Sequence, residues 1–420
     1  MKILLVNTFD IFSGAANATY RLHNALLEAG IDSYMLVQSK KSDDYTVIGH
    51  DSKIEKFINI LRPEIDWLPV KYYKNRKTSL YRFSPSYLPF SNIVKKINKI
   101  NPDLVHLNWI EGGFARIEDL TKINKPIIWT LHDMWAFTGG CHYDEGCEAY
   151  VNKCGKCKLL GSKNNNDLSR KIFNRKQKVY SKMRNFTIIA LSCWLKECIK
   201  KSKLMNSKKV VNLPNLINAN VFKPFDIKKS RELWNLPFDK KLVLFGASDA
   251  TGDSRKGFKE LSKALNLLKD RSDIELVVFG SSEPENAANF GIKTRYLGRI
   301  YDDASLVALY NMANVVIVPS LQENLSNVIM ESLSCGTPVV AFEIGGNTDM
   351  IEHLKNGYLA KPFNADDLAS GVKWIIDNPN YDELRKNARE KVINEFESKI
   401  VVKKYIDLYE EALRLSYPHL

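Results

Sequence analysis

Apolar residues along this chain fall into short unbroken runs, and the stretches between the runs place them at helical spacing. In the first half the pattern predicts strands near Ile3–Asn7, Tyr34–Gln38, Leu104–Asn108, Ile127–His132 and Thr187–Ser192. In the second half it predicts them near Leu242–Gly246, Glu275–Gly280, Thr294–Leu297, Val315–Pro319 and Pro338–Phe342. Helical patterns sit between most of these, as over Ala15–Ala29, Phe258–Leu268, Ser305–Met312 and Leu325–Cys335. A Val/Ile/Leu run without polar alternation reads as a strand buried on both faces, which is a parallel sheet between layers of helix. The series occurs twice, so the chain reads as α/β with two doubly wound domains.

The break between the two series falls near Leu213-Pro214-Asn215-Leu216-Ile217-Asn218, where a strand-like run meets proline and asparagines before Phe222-Lys223-Pro224. The expected division is 1–213, then 214–397, with 398–420 a terminal helix returning to the first domain through Val401, Tyr405, Leu408 and Leu413. Segment Lys163–Asn166 reads as a loop.

Composition narrows the class. With 420 residues the chain is too long for one ordinary core, and 45% hydrophobic with 26% charged residues is a globular balance. The net charge is +13, gathered mostly in the first half: Lys40-Lys41, Lys71 to Lys77, Lys95-Lys96, Arg170 to Lys178, Lys196 to Lys203 and Lys208-Lys209. Solvated helix faces account for such clusters one by one; together they suit phosphorylated substrates or an anionic membrane surface. No compact basic run interleaved with aromatics reads as a nucleic-acid module, so nucleic acid is not an expected partner. The opening Met1-Lys2-Ile3-Leu4-Leu5-Val6-Asn7 turns polar too soon for a signal peptide, and no apolar run approaches the ~20 residues of a membrane span. The expected location is the cytoplasm, where thiols stay reduced.

Candidate chemistry sits where strands end. Ser13-Gly14-Ala15-Ala16 opens a helix just after the first strand, either as a tight βα turn or as a helix N-terminus facing a ligand. His132-Asp133 ends a buried strand, where a histidine is either satisfied locally or free to hydrogen-bond a substrate. The stretch Gly246 to Gly257 links a strand to a helix and carries Arg255-Lys256, a pair that can neutralise a diphosphate or simply decorate a surface loop. Glu323 follows the strand ending at Pro319; Glu331 lies eight residues on, about two helical turns. Its apolar neighbours predict a partly buried carboxylate, which needs hydrogen bonds of the kind that sugar hydroxyls supply. Gly345-Gly346 follow the next strand.

At these residues the chain resembles glycosyltransferase family 4, the retaining enzymes of GT-B fold. Glu323 to Glu331 is similar to the family's E-x7-E motif, set in Val318-Pro319-Ser320 and Glu331-Ser332-Leu333-Ser334-Cys335-Gly336-Thr337-Pro338-Val339-Val340, with Gly345-Gly346 beyond. Ser13-Gly14-Ala15, His132-Asp133, Pro214-Asn215 and Lys256-Gly257 match as well, so the likeness covers nearly the whole chain. It implies two Rossmann-like domains facing across a cleft, the first holding the acceptor and the second a UDP- or GDP-sugar donor. It implies that Glu331 binds the ribose and Glu323 the donor sugar, with backbone N–H groups of Asn324, Leu325 and Ser326 beside it. Lys256 would bind the diphosphate, Gly14 would approach diphosphate or sugar, and His132 would sit beside the reacting carbon. The implied reaction is front-face transfer with retention, the leaving diphosphate helping to deprotonate the acceptor hydroxyl. The family often has arginine where Ser248 stands, and Arg255 is the replacement at hand.

No Asp-x-Asp motif appears, so no essential divalent cation is expected. The stretch from His132 to Cys157 resembles a subgroup active in bacterial capsule, exopolysaccharide or O-antigen assembly, so the expected acceptor is a saccharide or lipid-linked saccharide. Tyr72-Tyr73-Lys74-Asn75-Arg76 and Tyr81-Arg82-Phe83 then suit peripheral contact with the anionic inner face of the membrane. Competing readings are a nucleotide-sugar 2-epimerase on the same fold and a non-catalytic sugar-nucleotide-binding protein.

Cys141, Cys147, Cys154 and Cys157 form a C-x5-C-x6-C-x2-C pattern. In a reducing compartment this reads as structural zinc ahead of an iron–sulfur cluster, free or redox-active thiols being the other reading. Cys193, Cys198 and Cys335 read as small core residues.

Overall fold

The buried runs of both halves become parallel strands in the computed structural model, and the chain divides into two compact units. Residues 1–215 with 401–420 form the first unit and residues 216–400 the second. The structure describes residues 1–11, 13–183, 186–246, 253–280, 290–300 and 302–416.

The sheet of the first unit contains β1 (Lys2–Phe9), β2 (Asp32–Ser39), β3 (Val47–Ile48), β4 (Leu104–Leu107), β5 (Ile127–Leu131), β6 (Phe186–Ala190) and β7 (Lys209–Asn212). All pairs are parallel, in the order β3-β2-β1-β4-β5-β6-β7. Ile3, Leu4, Leu5 and Val6 are fully buried, because helices cover both faces of β1. The second unit repeats the plan with β8 (Lys241–Gly246), β9 (Ile274–Phe279), β10 (Thr294–Tyr296), β11 (Val315–Val318), β12 (Val339–Phe342) and β13 (Gly357–Ala360). Its order is β10-β9-β8-β11-β12-β13, again all parallel. In each sheet the order reverses beside the first strand, between β1 and β4 and between β8 and β11. In open α/β sheets, ligands bind outside the carboxyl ends of the strands at such a switch point.

Each expected run holds a strand, with ends displaced by one or two residues. The strands the pattern did not announce, β3, β7 and β13, all lie at sheet edges. An edge strand is covered on fewer sides, so it lacks the unbroken apolar run: β7 opens on exposed Lys209 and β13 on Gly357.

The terminal helix Ser398–Ser416 belongs to the first unit from Val401 onward. Val401, Tyr405 and Tyr409, four residues apart, are buried on one face. The Tyr409 hydroxyl lies 2.7 Å from Nδ1 of His106 in β4, and Nε2 of the same ring lies 2.7 Å from the Thr130 hydroxyl of β5. The Tyr405 hydroxyl donates to the carbonyl of Pro214 at 3.3 Å. Fully buried, the His106 ring is pushed down to about 3 by loss of water and by nearby His132. His23, bonded to Ser33 at 2.8 Å and Thr46 at 2.7 Å, is pushed down to about 4 by burial.

These buried neutral rings make acid lability a prediction. Their folded-state pKa values lie below the ordinary 6.5, so the stability they contribute is present above about pH 6.5 and drains away as pH falls toward 4. Thermal unfolding should shift down steadily between pH 6.5 and 4.5, by about 1 kcal/mol per pH unit for each ring that titrates. His106→Asn should flatten that slope as well as lower the midpoint. A wild-type midpoint constant across the window would contradict the account.

Candidate functional site

In the second unit the residues of interest converge on the carboxyl ends of β8 and β11. The Lys256 ammonium donates to Oε2 of Glu323 at 2.8 Å, and the Ser320 hydroxyl lies 3.4 Å from the same oxygen. Burial pushes the Glu323 carboxyl up, but the charge and hydrogen bond of Lys256, the charge of Arg255 and the Asn324 N–H outweigh it and hold it below the usual range. Glu323 is therefore an ionised carboxylate with little water around it.

Two glycines allow this arrangement. Gly257, at φ +68°, carries the chain past Pro319 so closely that a Cβ would lie 1.8 Å from the Pro319 carbonyl oxygen. Gly345, at φ +52°, leaves 1.9 Å between a built Cβ and the Glu323 carbonyl oxygen, which also accepts the Gly346 N–H at 3.3 Å. Both positions require the left-handed backbone and the missing side chain. The loop after β12 thus holds the backbone of Glu323 while Lys256 holds its carboxylate.

Asn324, Leu325 and Ser326 are buried in the turn that leads to helix Asn327–Ser334, and the Ser326 side chain caps that helix by accepting the Ile329 N–H. Glu331 is buried in the helix and accepts the Tyr310 hydroxyl at 2.7 Å. Arg255 is turned toward Asp253, 2.5 Å away, and its carbonyl accepts the Leu321 N–H at 2.7 Å. Its guanidinium therefore already has a carboxylate partner. Ser248, the position it was to replace, lies outside the described residues, as does the glycine-bearing stretch 247–252.

In the first unit the corresponding edge is formed by β1, β4 and β5. Helix Gly14–Glu28 starts there, its N-terminus capped by the Ser13 side chain, which accepts the Ala16 N–H at 3.4 Å. His132 follows β5 directly, with Nε2 3.1 Å from Oδ1 of Asn108, and burial pushes it down to about 4, so its ring is neutral. Asp133 accepts the Trp109 indole N–H at 3.0 Å and the Trp135 N–H at 2.8 Å, and pairs with Nδ1 of His142 at 2.6 Å. Nε2 of His142 meets the Ser84 hydroxyl at 2.8 Å, and the Trp109 ring stacks on His142 at 5.4 Å. This chain of bonds ties the loop after β5 to the segment around Ser84.

Several polar residues here went unread in the sequence. Glu111 is buried with Oε2 lacking a hydrogen-bond partner, and burial together with the charge of Asp133 pushes its carboxyl well up. The signal was present as an acid followed by Gly112-Gly113 just past β4. Lys176, fully buried, donates to the carbonyls of Trp135 and Thr138 and lies 3.6 Å above the Trp135 ring; burial pushes it down to about 7.

Among the described residues no group of three or more His, Cys, Asp or Glu is arranged to hold a metal ion, and Cys141, Cys147, Cys154 and Cys157 are free thiols. The backbone around them has other ties: Cys141 pairs with Phe83, the Cys154 carbonyl accepts from Arg170, and the Cys157 N–H donates to Asp167. Burial pushes the Cys154 thiol up to about 12 and the Cys157 thiol to about 11. Cys198 and Cys335 are buried as expected, whereas Cys193 is exposed and opens helix Cys193–Lys201.

The fit of Gly345 against Glu323 can be tested directly. Gly345→Ala should cost about 1–3 kcal/mol in denaturant unfolding of the second unit, through backbone strain and displacement of the Glu323 loop. Unchanged stability would show that the loop after β12 does not hold Glu323.

Known proteins share this organisation. Residues 12–221 match the family described as Glycosyltransferase Family 4, and residues 226–394 match Glycosyl transferases group 1. A protein of Escherichia coli named as a colanic acid biosynthesis glycosyl transferase, WcaC, is 25% identical over 364 residues, 81% of this chain and 83% of that one. The N,N'-diacetylbacillosaminyl-diphospho-undecaprenol alpha-1,3-N-acetylgalactosaminyltransferase of Campylobacter jejuni is 26% identical over 206 residues, 47% of this chain and 53% of that one. The chain thus spans only about half the length of some curated relatives it matches. Anabaena HepE, solved in complex with UDP-glucose, superposes with a TM-score of 0.67 at 16% identity, covering 98% of this chain and 100% of that one, a likeness of fold. The two parallel α/β units are those of GT-B glycosyltransferases, and the chain, matched over half its length by the family, belongs to glycosyltransferase family 4.

Proposed function

We propose that the protein transfers a sugar from a nucleotide-diphosphate sugar to a saccharide or lipid-linked saccharide, with retention of configuration, in the assembly of a bacterial surface polysaccharide. The observation that carries the reading is the Lys256–Glu323 pair, a cation and an ionised acid held at 2.8 Å beside the Glu331-bearing helix. Lys256 retains donors beyond the one that Glu323 engages. They suit a diphosphate, whose charge rises as the glycosidic bond breaks and whose stabilisation lowers the barrier. Glu323, kept ionised, suits the hydroxyls of a donor sugar, and Glu331, the buried acid that accepts Tyr310, suits a ribose. Backbone N–H groups of Asn324, Leu325 and Ser326 complete the donor subsite.

On this reading the first unit takes the acceptor. Gly14, at the start of its helix, would approach a phosphate or sugar oxygen, and His132, held neutral, would sit beside the reacting carbon. The donor nucleotide is UDP or GDP; HepE, similar in fold, was solved with UDP-glucose. The lipid-linked acceptor is suggested by the name of the Campylobacter relative, and the polysaccharide setting by that of the colanic acid relative. With no Asp-x-Asp pair in the sequence, the phosphate charge is met by Lys256 and Arg255 rather than by a divalent cation.

Glu331→Gln should weaken UDP or GDP binding about tenfold or more in calorimetry, because a charge-assisted hydrogen bond to the ribose is lost. Lys256→Ala should reduce turnover of the sugar donor about a hundredfold or more while the fold persists, seen as nucleotide release with lipid-extract acceptor. Nucleotide affinity within twofold of wild type in Glu331→Gln would overturn the ribose role. EDTA should leave wild-type turnover unchanged, and loss of activity restored by magnesium or manganese would contradict the metal-free reading.

A further inference from the structure

Helix Lys53–Asp66 of the first unit is packed the reverse way round from an ordinary surface helix. Its polar residues Glu55, Asn59, Arg62 and Asp66, spaced four, three and four apart, form the stripe that faces the protein. Glu55 pairs with Lys96 at 2.8 Å, and Asn59 exchanges hydrogen bonds with Gln38. Arg62 donates to the carbonyls of Leu88, Pro89, Phe90 and Gly113. Asp66 accepts the N–H groups of Ser86, Tyr87 and Leu88. Every bond on that face fixes the helix with its apolar stripe outward. Ile54 is 74% exposed, Phe57 64%, Ile58 47%, Leu61 41% and Ile65 39%. They cover an arc of about 100° at the helical period. Phe90, across the groove that Ile54 and Ile58 also line, is 92% exposed.

An apolar patch of this kind on a polar-rooted helix marks a surface for a partner. Lys53 and Lys56 lie along one side of the apolar arc; Lys71 pairs with Glu64 of the helix at 2.9 Å, and Lys74, Arg76 and Lys77 follow in the chain with Tyr72, 85% exposed. A second copy of the chain docked face to face would bring these cations against their own equivalents. A layer of anionic headgroups over acyl chains matches both halves of the surface, apolar arc and basic flank.

We infer that helix Lys53–Asp66, with Phe90 beside it, is the element by which the first unit lies on an anionic lipid bilayer, its apolar arc entering the headgroup boundary. The inference deepens the lipid-linked acceptor reading and moves the contact away from Tyr81-Arg82-Phe83. There Phe83 is buried, Arg82 pairs with Glu145 at 2.7 Å, and Tyr81 packs edge-on against Phe9.

Flotation of the full chain with vesicles reads the inference without catalysis. Wild type should rise with phosphatidylglycerol-containing vesicles and much less with phosphatidylcholine alone. The exposed-site double variant Ile54→Glu with Phe57→Glu should bind at least about tenfold less, with unchanged thermal stabilisation by UDP or GDP. Lys53→Gln with Lys56→Gln should lose most of the anionic preference and serves if the acidic variant folds poorly. Wild type that stays down with both vesicles overturns the inference. So does a wild-type dimer in light scattering that the double variant breaks without any vesicle binding, since the face then covers itself. Loss of nucleotide binding in Glu331→Gln together with intact flotation would leave the two readings separately decided.

Discussion

An acid taken out of water costs several kcal/mol unless its charge is met where it sits, and the turn after β11 is organised around meeting that of Glu323. The Lys256 ammonium at 2.8 Å does so electrostatically. The backbone must also come close enough from both sides, and this is where Gly257 and Gly345 act. Each places a chain segment against a carbonyl oxygen at a distance that no side chain tolerates. The acid is thereby ionised and fixed before a ligand arrives. On the proposed reading, a ligand phosphate entering beside Lys256 would meet a cation already oriented, with little reorganisation left to the moment of reaction. Lys256 would then face competition, since a phosphate and Glu323 would draw on the same ammonium, and its donors suffice for both only if they diverge.

The first unit solves a different problem at the matching edge. Its polar residues are mostly neutral or paired: His106, His23 and His132 are held uncharged by burial, while Asp133 is held charged by His142. Glu111 is the exception, pushed toward its neutral form and left with one oxygen unused. A surface that meets hydroxyl groups needs donors and acceptors without net charge, whereas one that meets a diphosphate needs a cation. The two strand edges therefore differ in electrostatic character although their sheets follow the same winding.

Much of this was readable before any coordinates. Strands buried on both faces announce themselves as unbroken apolar runs, so β1, β4, β5, β8 and β11 were visible and their carboxyl ends could be searched for chemistry. Glu323, Glu331 and Lys256 stood out because charged residues next to such runs need a reason. The edge strands β3, β7 and β13 were not visible, since one-sided cover does not demand an apolar run. The Asp133–His142–Ser84 chain spans residues far apart in sequence, and nothing local couples them. For the four cysteines, spacing says how close thiols can come, while their neighbours decide how they are placed. Arg170 and Asp167 hold the Cys154 and Cys157 backbone in place.

Helix Lys53–Asp66 shows why a periodic pattern fixes an element but not its orientation. Amphipathicity has an axis and a magnitude; which side meets the protein depends on what the neighbouring segments offer. Here they offer backbone rather than side chains. The segment Ser86 to Phe90 presents N–H groups to Asp66 and carbonyls to Arg62, and Gly113 presents another carbonyl. Irregular backbone at that place would otherwise be buried without partners, a cost greater than leaving a few aliphatic side chains in water. The polar stripe is thus drawn inward to satisfy loops, and the apolar stripe is left outward as a consequence. Exposure of that stripe is tolerable for a chain that rests on lipid and a liability for one that does not, because the same residues would drive association in water. The basic residues at its flank are the ground for proposing an anionic surface, since repulsion between equivalent cations opposes pairing of two copies while headgroup phosphates attract them.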